Sequence, residues 1–442
     1  MRKKNHTRIF PVFAVEITGI SHEGKGVARV DGKAVFVDGA LPGEQVEARV
    51  YKQHRHFDEA EVLEVKTTSA LRVKPRCNHF GVCGGCVLQH LDADAQLAFK
   101  QDQMLENLRH IGNVTPQQIL PALRGDNWGY RRKARLGAKY VEKKGRVLVG
   151  FRERRSHLLT DVRNCPVLHP DIGERLEALS EALSQLSVRA QIPQIELAIG
   201  DRGRVLLLRH LAALTDADLQ IVRKFGEQYG FTIFLQADRP DNLLPVSLVS
   251  DPLQYELPEY GLTFDFGVND FTQINHVINR KMVAQAIALL ALNGQDHVLD
   301  LFCGLGNFSL AMARHAASVL GVEGETKAIL RARENAHANG VANAEFVVQN
   351  LSGDFAGAPW TRREYTKILL DPPRTGAIEM LQQLCRLRPE RIVYVSCNPA
   401  TLARDSRFIV EEMGYQLSMA GVMDMFPHTA HVESMALFVR KS

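Results

Sequence analysis

Cys397 is the residue in this chain best suited to chemistry. It stands in Tyr394-Val-Ser-Cys-Asn-Pro, where an apolar, strand-like run ends. A thiol at such a position is a potential nucleophile. Asp371-Pro-Pro-Arg closes the preceding apolar run, and a carboxylate held by rigid prolines can hydrogen-bond the edge of a planar base. A similar Asp/Asn-Pro-Pro-aromatic motif occurs in amino-methylating enzymes, but Arg374 replaces the aromatic residue here. Glu433, in His428-Thr-Ala-His-Val-Glu-Ser-Met, is the candidate general base. His428 and His431 are its rivals, although histidines near a site more often serve as hydrogen-bonding structure.

A second set of residues reads as a cofactor site. Asp300-Leu-Phe-Cys-Gly-Leu-Gly-Asn-Phe-Ser follows one strand-like run, and Gly304 and Gly306 allow a tight turn and close approach to a ligand. The full G-x-G-x-x-G fingerprint and a Walker lysine are both missing, which argues against a dinucleotide or a nucleoside triphosphate. Glu323 ends the next run, where an acid can accept both ribose hydroxyls. Asn350 ends the third, where an adenine would lie. A glycine loop, an acid and an amide on successive strand ends describe a nucleoside site with no device for phosphate. S-adenosylmethionine is the simplest occupant.

One thiol, one base and one methyl donor on a single edge suit a particular reaction. Carbon 5 of uracil is a poor nucleophile until a thiolate adds to carbon 6. The resulting enolate can attack a methyl sulfonium, and a base must then remove the carbon-5 proton.

These residues need a scaffold, and the hydropathy pattern supplies one. From about residue 273, near-continuous apolar runs alternate with helical ones: Val298-Leu-Asp-Leu-Phe, Val319-Leu-Gly-Val, Phe346-Val-Val, Ile368-Leu-Leu and Ile392-Val-Tyr-Val. That is the pattern of a parallel sheet covered on both faces. Residues 11–67 read instead as five short strands separated by turns, which suits a small barrel of the oligonucleotide-binding type. A helical stretch covers residues 91–110, residues 170–260 mix helices and strands, and residues 238–258 read as loop.

Charge is unevenly spread. The whole chain is only +4, yet residues 124–163 hold 13 Lys and Arg against 4 Asp and Glu. Such a local excess is a footprint for a polyanion, with Arg131, Arg132, Lys133 and Arg135 as candidate contacts. Arg2, Lys3, Lys4 and Arg8 form a basic tail with no apolar stretch behind it, unlike a secretory signal. No apolar run reaches the length of a membrane span. A cytoplasmic protein is expected.

The seven cysteines divide. Cys77, Cys83 and Cys86 cluster, and Cys165 stands alone in Arg163-Asn-Cys-Pro. Four thiolates can hold zinc or a four-iron cluster, and spacing leaves both open. Cys303 and Cys385 read as packing residues.

The chain resembles the RNA uracil-5-methyltransferases, and within them the branch acting on 23S ribosomal RNA. The likeness covers nearly the whole chain. It rests on Cys77-Asn-His-Phe-Gly-Val-Cys-Gly-Gly-Cys, Phe271-Thr-Gln-Ile-Asn, Asp300-Leu-Phe-Cys-Gly-Leu-Gly-Asn-Phe, Ser396-Cys-Asn-Pro-Ala-Thr-Leu-Ala-Arg-Asp and Asp424-Met-Phe-Pro-His-Thr. The resemblance implies an N-terminal OB-like β-barrel (a TRAM domain) over residues 1–70. A central iron–sulfur α+β domain would follow over 71–265, and a Rossmann-like α/β class I methyltransferase domain over 266–442. It further implies Cys397 as nucleophile and Glu433 as base. Gln273, Phe302, Asn307, Glu323, Asn350 and Asp371 would contact S-adenosylmethionine, and Cys77, Cys83, Cys86 and Cys165 would hold a [4Fe–4S] cluster. Ribosomal RNA is the implied substrate and a monomer the expected state. The alternatives are a transfer-RNA or other ribosomal uracil-5-methyltransferase, or a non-catalytic iron–sulfur RNA-binding factor.

Overall fold

The computed structural model describes residues 12–237 and 242–441. The basic N-terminal tail lies outside the described residues. The chain divides into two units. The first comprises Met1–Phe99, Glu153–Ser156 and Pro427–Ala430; the second comprises Lys100–Arg152, His157–Phe426 and His431–Ser442.

In the first unit, alternating residues build a six-stranded sheet from Val12–Glu16, Gly19–Ile20, Gly26–Val30, Lys33–Asp38, Gln45–Gln53 and Phe57–Thr67. The opening stretch pairs twice. Val12–Glu16 runs antiparallel to Gln45–Gln53, and Gly19–Ile20 runs antiparallel to Gly26–Val30. One stretch thus joins both edges and curls the sheet around a core of Ile17, Ala28, Val35, Val37, Val46, Ala48 and Ala60. Five strands were expected; a break at Ile17 and Thr18 makes six. The cysteine segment that follows is turns rather than regular elements, and the helix Ala93–His110 begins after it.

The second unit carries two large sheets. One has the order Leu243–Ser247, Thr232–Gln236, Arg204–Arg209, Gln194–Ile199, Lys133–Val141 and Arg146–Gly150. The strands Leu243–Ser247 and Gln254–Leu257 correct the expectation of loop over 238–258: Leu244 and Tyr255 pair with neighbours despite the Pro and Asp around them.

The other sheet holds the site. Its order is Ala344–Val348, Ser318–Glu323, His297–Leu301, Lys367–Leu370, Arg391–Ser396, Glu433–Arg440, Tyr415–Met423 and the short Gln118–Ile119. The first five are parallel, and Glu433–Arg440 is antiparallel to both its neighbours. Strand order reverses between His297–Leu301 and Lys367–Leu370, so the crevice at their carboxyl ends is where a doubly wound sheet binds ligands. Asp405, wholly buried on the helix Pro399–Glu411, ties that edge together. It accepts the Ala377 backbone N–H at 2.6 Å, the Tyr394 hydroxyl at 2.7 Å and the Arg404 guanidinium at 2.8 Å. Asp405→Ala should lose roughly 3 kcal/mol in urea unfolding, because the Tyr394 hydroxyl and the Ala377 amide lose their partner. A loss below about 1 kcal/mol would show that this carboxylate does not hold the edge.

Candidate active site

The glycine loop leaves the central strand in strained backbone. Phe302 has φ 65°, unusual for a side-chain-bearing residue, and Gly304 and Gly306 have φ 54° and 92°. A Cβ added at Gly304 would meet nothing within 4 Å, so the loop is bare on that side. Glu323 spans this loop and the next. Its carboxylate accepts backbone N–H groups from Gly304 at 3.2 Å, Gly324 at 2.6 Å and Glu325 at 3.1 Å. Asn350 is exposed at the third strand end, where its side chain accepts the Ser352 N–H at 3.0 Å. Asn307 differs from a simple ligand contact: its amide is engaged with Asn279 and with the Tyr255 hydroxyl at 3.0 Å or less. Gln273 lies in the segment between Asp270 and the helix His276–Leu290, which Asn275 caps. Lys133 holds that segment at the Asp270 carbonyl, and the Arg132 N–H holds it at the Ile274 carbonyl, 3.0 Å.

The reaction residues meet through one ladder. Ser396 lies opposite Ser434 as the last pair between Arg391–Ser396 and Glu433–Arg440. One residue further in the same register sets Cys397 against Glu433. Directly opposed residues in an antiparallel pair have Cα atoms about 4.5–5.5 Å apart. Immediately beyond, Asn398 caps the helix Pro399–Glu411 by accepting the Ala400 N–H at 3.1 Å, with Pro399 in the first turn. The Asn398 side-chain amide also donates to the Arg374 carbonyl at 3.0 Å, which binds the Asp371-Pro-Pro-Arg loop to the cysteine loop.

The electrostatics are those of crowded carboxyl groups with little water. Burial, and then the charges of Asp371 and Glu323, push Asp300 up to about 8 against the pull of its Ser309 hydrogen bond. Burial and Glu323 push Asp371 up to about 7. Burial and Asp371 push Glu433 up to about 8, while Arg374 and Lys100 act against the rise. The Cys397 thiol is driven up to about 11 by burial, Glu433 and Asp371, opposed by Arg374. Ordinary carboxylates ionise near 4, so each of these acids is poised close to neutrality.

Other expected residues fall elsewhere. His431 meets Arg374 at 3.4 Å, and burial lowers its basicity. His428 belongs to the first unit, where its backbone N–H donates to the Gln96 side chain at 2.8 Å. Cys303 is buried, as a packing residue should be, but Cys385 caps the helix Ile378–Leu384 and is exposed, which corrects its reading as packed. The basic candidates are largely engaged. Arg132 donates to the Gly200 carbonyl and Asp201, each at 2.8 Å; Arg131 lies over Phe151; Arg135 is exposed and reaches Glu196 at 3.2 Å.

Cys77, Cys83 and Cys86 belong to the first unit and Cys165 to the second. None of the cysteines forms a disulfide. The sulfurs of Cys77 and Cys83 each accept a backbone N–H, from His79 and Gly85, at 3.4 Å. Amide-to-sulfur bonds suit thiolate ligands, so the donor chemistry fits a metal centre. Among the described residues, however, no group of three or more His, Cys, Asp or Glu side chains is gathered for a metal ion.

Two family models match: tRNA (Uracil-5-)-methyltransferase over residues 244–441 and the TRAM domain over residues 7–63. The chain is 50% identical over 428 residues, 97% of each chain, to a protein of Methylococcus capsulatus named 23S rRNA (uracil(1939)-C(5))-methyltransferase RlmD. The chain belongs to the RNA uracil-5-methyltransferase family. A second member with the same name, from Alkalilimnicola ehrlichii, is 50% identical over 434 residues and 97% of each chain. The fold of this family member is also that of the Pyrococcus abyssi tRNA (uracil-54, C5)-methyltransferase crystallised with S-adenosyl-L-homocysteine. The TM-score is 0.74 at 24% identity, covering 96% of this chain and 99% of that one. These matches place a methyltransferase fold and an N-terminal TRAM domain in the chain. No helix among the described residues is long and apolar enough to cross a membrane.

Sequence reasoning missed Asp300 as a titrating group and Lys100 altogether. Asp300 stood within a quoted motif, but its burial did not. Lys100 gave no local signal, because its partner Asp424 is 324 residues away.

The stacked carboxylates make a prediction about the free thiol. Alkylation of Cys397 by iodoacetamide should be slow at pH 7 and climb towards pH 11, since only the thiolate reacts. Glu433→Gln removes a negative charge facing the sulfur, so the profile should move to lower pH. An unmoved profile would mean that the two groups do not interact.

Proposed function

We propose that the protein methylates carbon 5 of a uracil in 23S ribosomal RNA, with S-adenosylmethionine as the methyl donor. The observation that carries this is the register that sets Cys397 against Glu433 at the ligand-binding edge of the sheet. The named relatives, 50% identical over 97% of the chain, point to uracil 1939 as the target. The family model's own description names transfer RNA instead, which keeps that substrate as the alternative.

In the proposed reaction the Cys397 thiolate adds to carbon 6, and the electron pair moves to carbon 5 as an enolate. The cofactor, when bound, supplies an electrophilic methyl group. Carbon 5 takes the methyl group, the Glu433 carboxylate removes its proton, and the carbon–sulfur bond breaks to release the Cys397 thiolate. Gln273, Phe302, Asn307, Glu323, Asn350 and Asp371 would hold the cofactor, with Asp371 also beside the base. A uracil inside folded RNA must be swung out to reach the thiol. The TRAM domain and exposed cations such as Arg135 would hold the flanking strand. The working division of labour is residues 1–70 and 71–265 for RNA, and 266–442 for chemistry, in a cytoplasmic monomer.

RNA containing 5-fluorouracil tests the mechanism. Fluorine cannot leave as a cation, so a covalent protein–RNA adduct should accumulate with cofactor present and vanish in Cys397→Ala. An adduct that survives Cys397→Ala would overturn the assignment. Unmodified 23S and transfer RNA, compared for methyl incorporation, separate the two substrates.

We further propose that Cys77, Cys83, Cys86 and Cys165 hold a [4Fe–4S] cluster that shapes the RNA-binding part and takes no part in methyl transfer. The thiols outside disulfides and the amide hydrogen bonds to sulfur support this, together with the family resemblance. Protein purified without oxygen should be brown, with iron and sulfide near four per chain. Colourless protein with stoichiometric zinc would contradict it.

A further inference from the structure

The motif Asp424-Met-Phe-Pro-His-Thr takes no part in the reaction described above, yet it receives a buried cation. Lys100, on the helix Ala93–His110, is fully buried. Its ammonium meets Asp424 Oδ1 at 2.6 Å and the Phe426 carbonyl at 3.0 Å. Asp424 directly follows Met423, the residue paired with Glu433 across the sheet. The Asp424 N–H is itself fixed on the Leu123 carbonyl at 2.9 Å.

Stability alone does not account for this lysine. A buried ion pair costs its desolvation, and apolar side chains of equal volume are often as stable or more so. Burial acts to lower the Lys100 pKa, and Asp424 and Glu433 act to hold its charge. The charges facing Glu433 are Asp371, Arg374 and Lys100, and the titrating Cys397 thiol lies across from it.

We propose that Lys100 is a positioning residue for proton removal: held on Asp424 at the strand end paired with Glu433, its ammonium keeps that buried carboxyl able to ionise. Glu433 must be charged to take the carbon-5 proton. It sits among other acids in a place with little water, and an incoming base removes more. Arg374 lies on a loop that the substrate approaches, whereas Lys100 is sealed on the far side. Its field is therefore the part of the base's environment that substrate binding leaves unchanged. The proposal rests on the reading of Glu433 as the base.

Two substitutions with opposite effects test it, on RNA carrying tritium at uracil carbon 5 in single turnovers across pH. Tritium release reads the proton step. Lys100→Met should move the limb on which release rises with pH to higher pH by roughly one unit, an approximately tenfold loss on the acid side. Asp424→Asn leaves the ammonium without its neutralising partner and should move the limb to lower pH. Adduct formation on 5-fluorouracil RNA stops before proton removal and should be slowed by neither. A limb that stays put in both variants, or equal slowing in the two assays, overturns the role of Lys100. If Lys100→Met does not fold, the direction of the shift in Asp424→Asn still decides. Wild-type protein that neither forms the adduct nor releases tritium overturns the methyltransferase reading itself, and this proposal with it.

Discussion

The last backbone pair of one antiparallel ladder governs the site. Ser396 faces Ser434, and the chain must then turn out of the sheet on both strands. That single register sets a thiol against a carboxyl group where a parallel sheet also opens its ligand crevice. A slip of one residue would send one of the two side chains to the opposite face. Much of the surrounding structure guards against such a slip. Asp405 fixes the loop after one strand, Asn398 ties it to the cap of the next helix, and Glu433–Arg440 is paired on both sides.

Crowding of acids at the same edge follows from the same constraint. Asp300, Asp371 and Glu433 are each held near neutrality, and Glu323 adds a further charge. Repulsion of this kind costs free energy in the empty protein. It is relieved by a cationic ligand, and a methyl sulfonium is one. After transfer the sulfonium becomes a neutral thioether, so the attraction falls once the methyl group has gone. The arrangement thus favours the donor over its product on electrostatic grounds, without a residue that touches only one of them. The thiol pays for its neighbours, since the same acids raise it. Arg374 is the opposing charge on the substrate side and Lys100 on the buried side.

Much of this was legible in the residues. Near-continuous apolar runs announced the parallel sheet, and the alternation in residues 11–67 announced the curled one. Strand ends could be read from Glu323, Asp371 and Cys397, because acids and thiols interrupt apolar runs there. Lys100 was not legible, since its meaning depends on a partner distant in sequence. Arg132 and Lys133 looked like an RNA surface, because a basic run shows charge and not direction; their side chains turn inward to Asp201 and the Asp270 carbonyl. Leu243–Ser247 was hidden by its own Pro245, which an edge strand tolerates.

The central claim is that nucleophile and base are separate residues facing each other across the end of one ladder. Glu433→Gln tests it most directly with ordinary uracil-containing RNA and cofactor. The methyl group should be transferred, but its carbon-5 proton should remain, so a methylated RNA should stay covalently joined to Cys397 and be detectable by mass spectrometry. Free methylated RNA released at the wild-type rate would contradict the account.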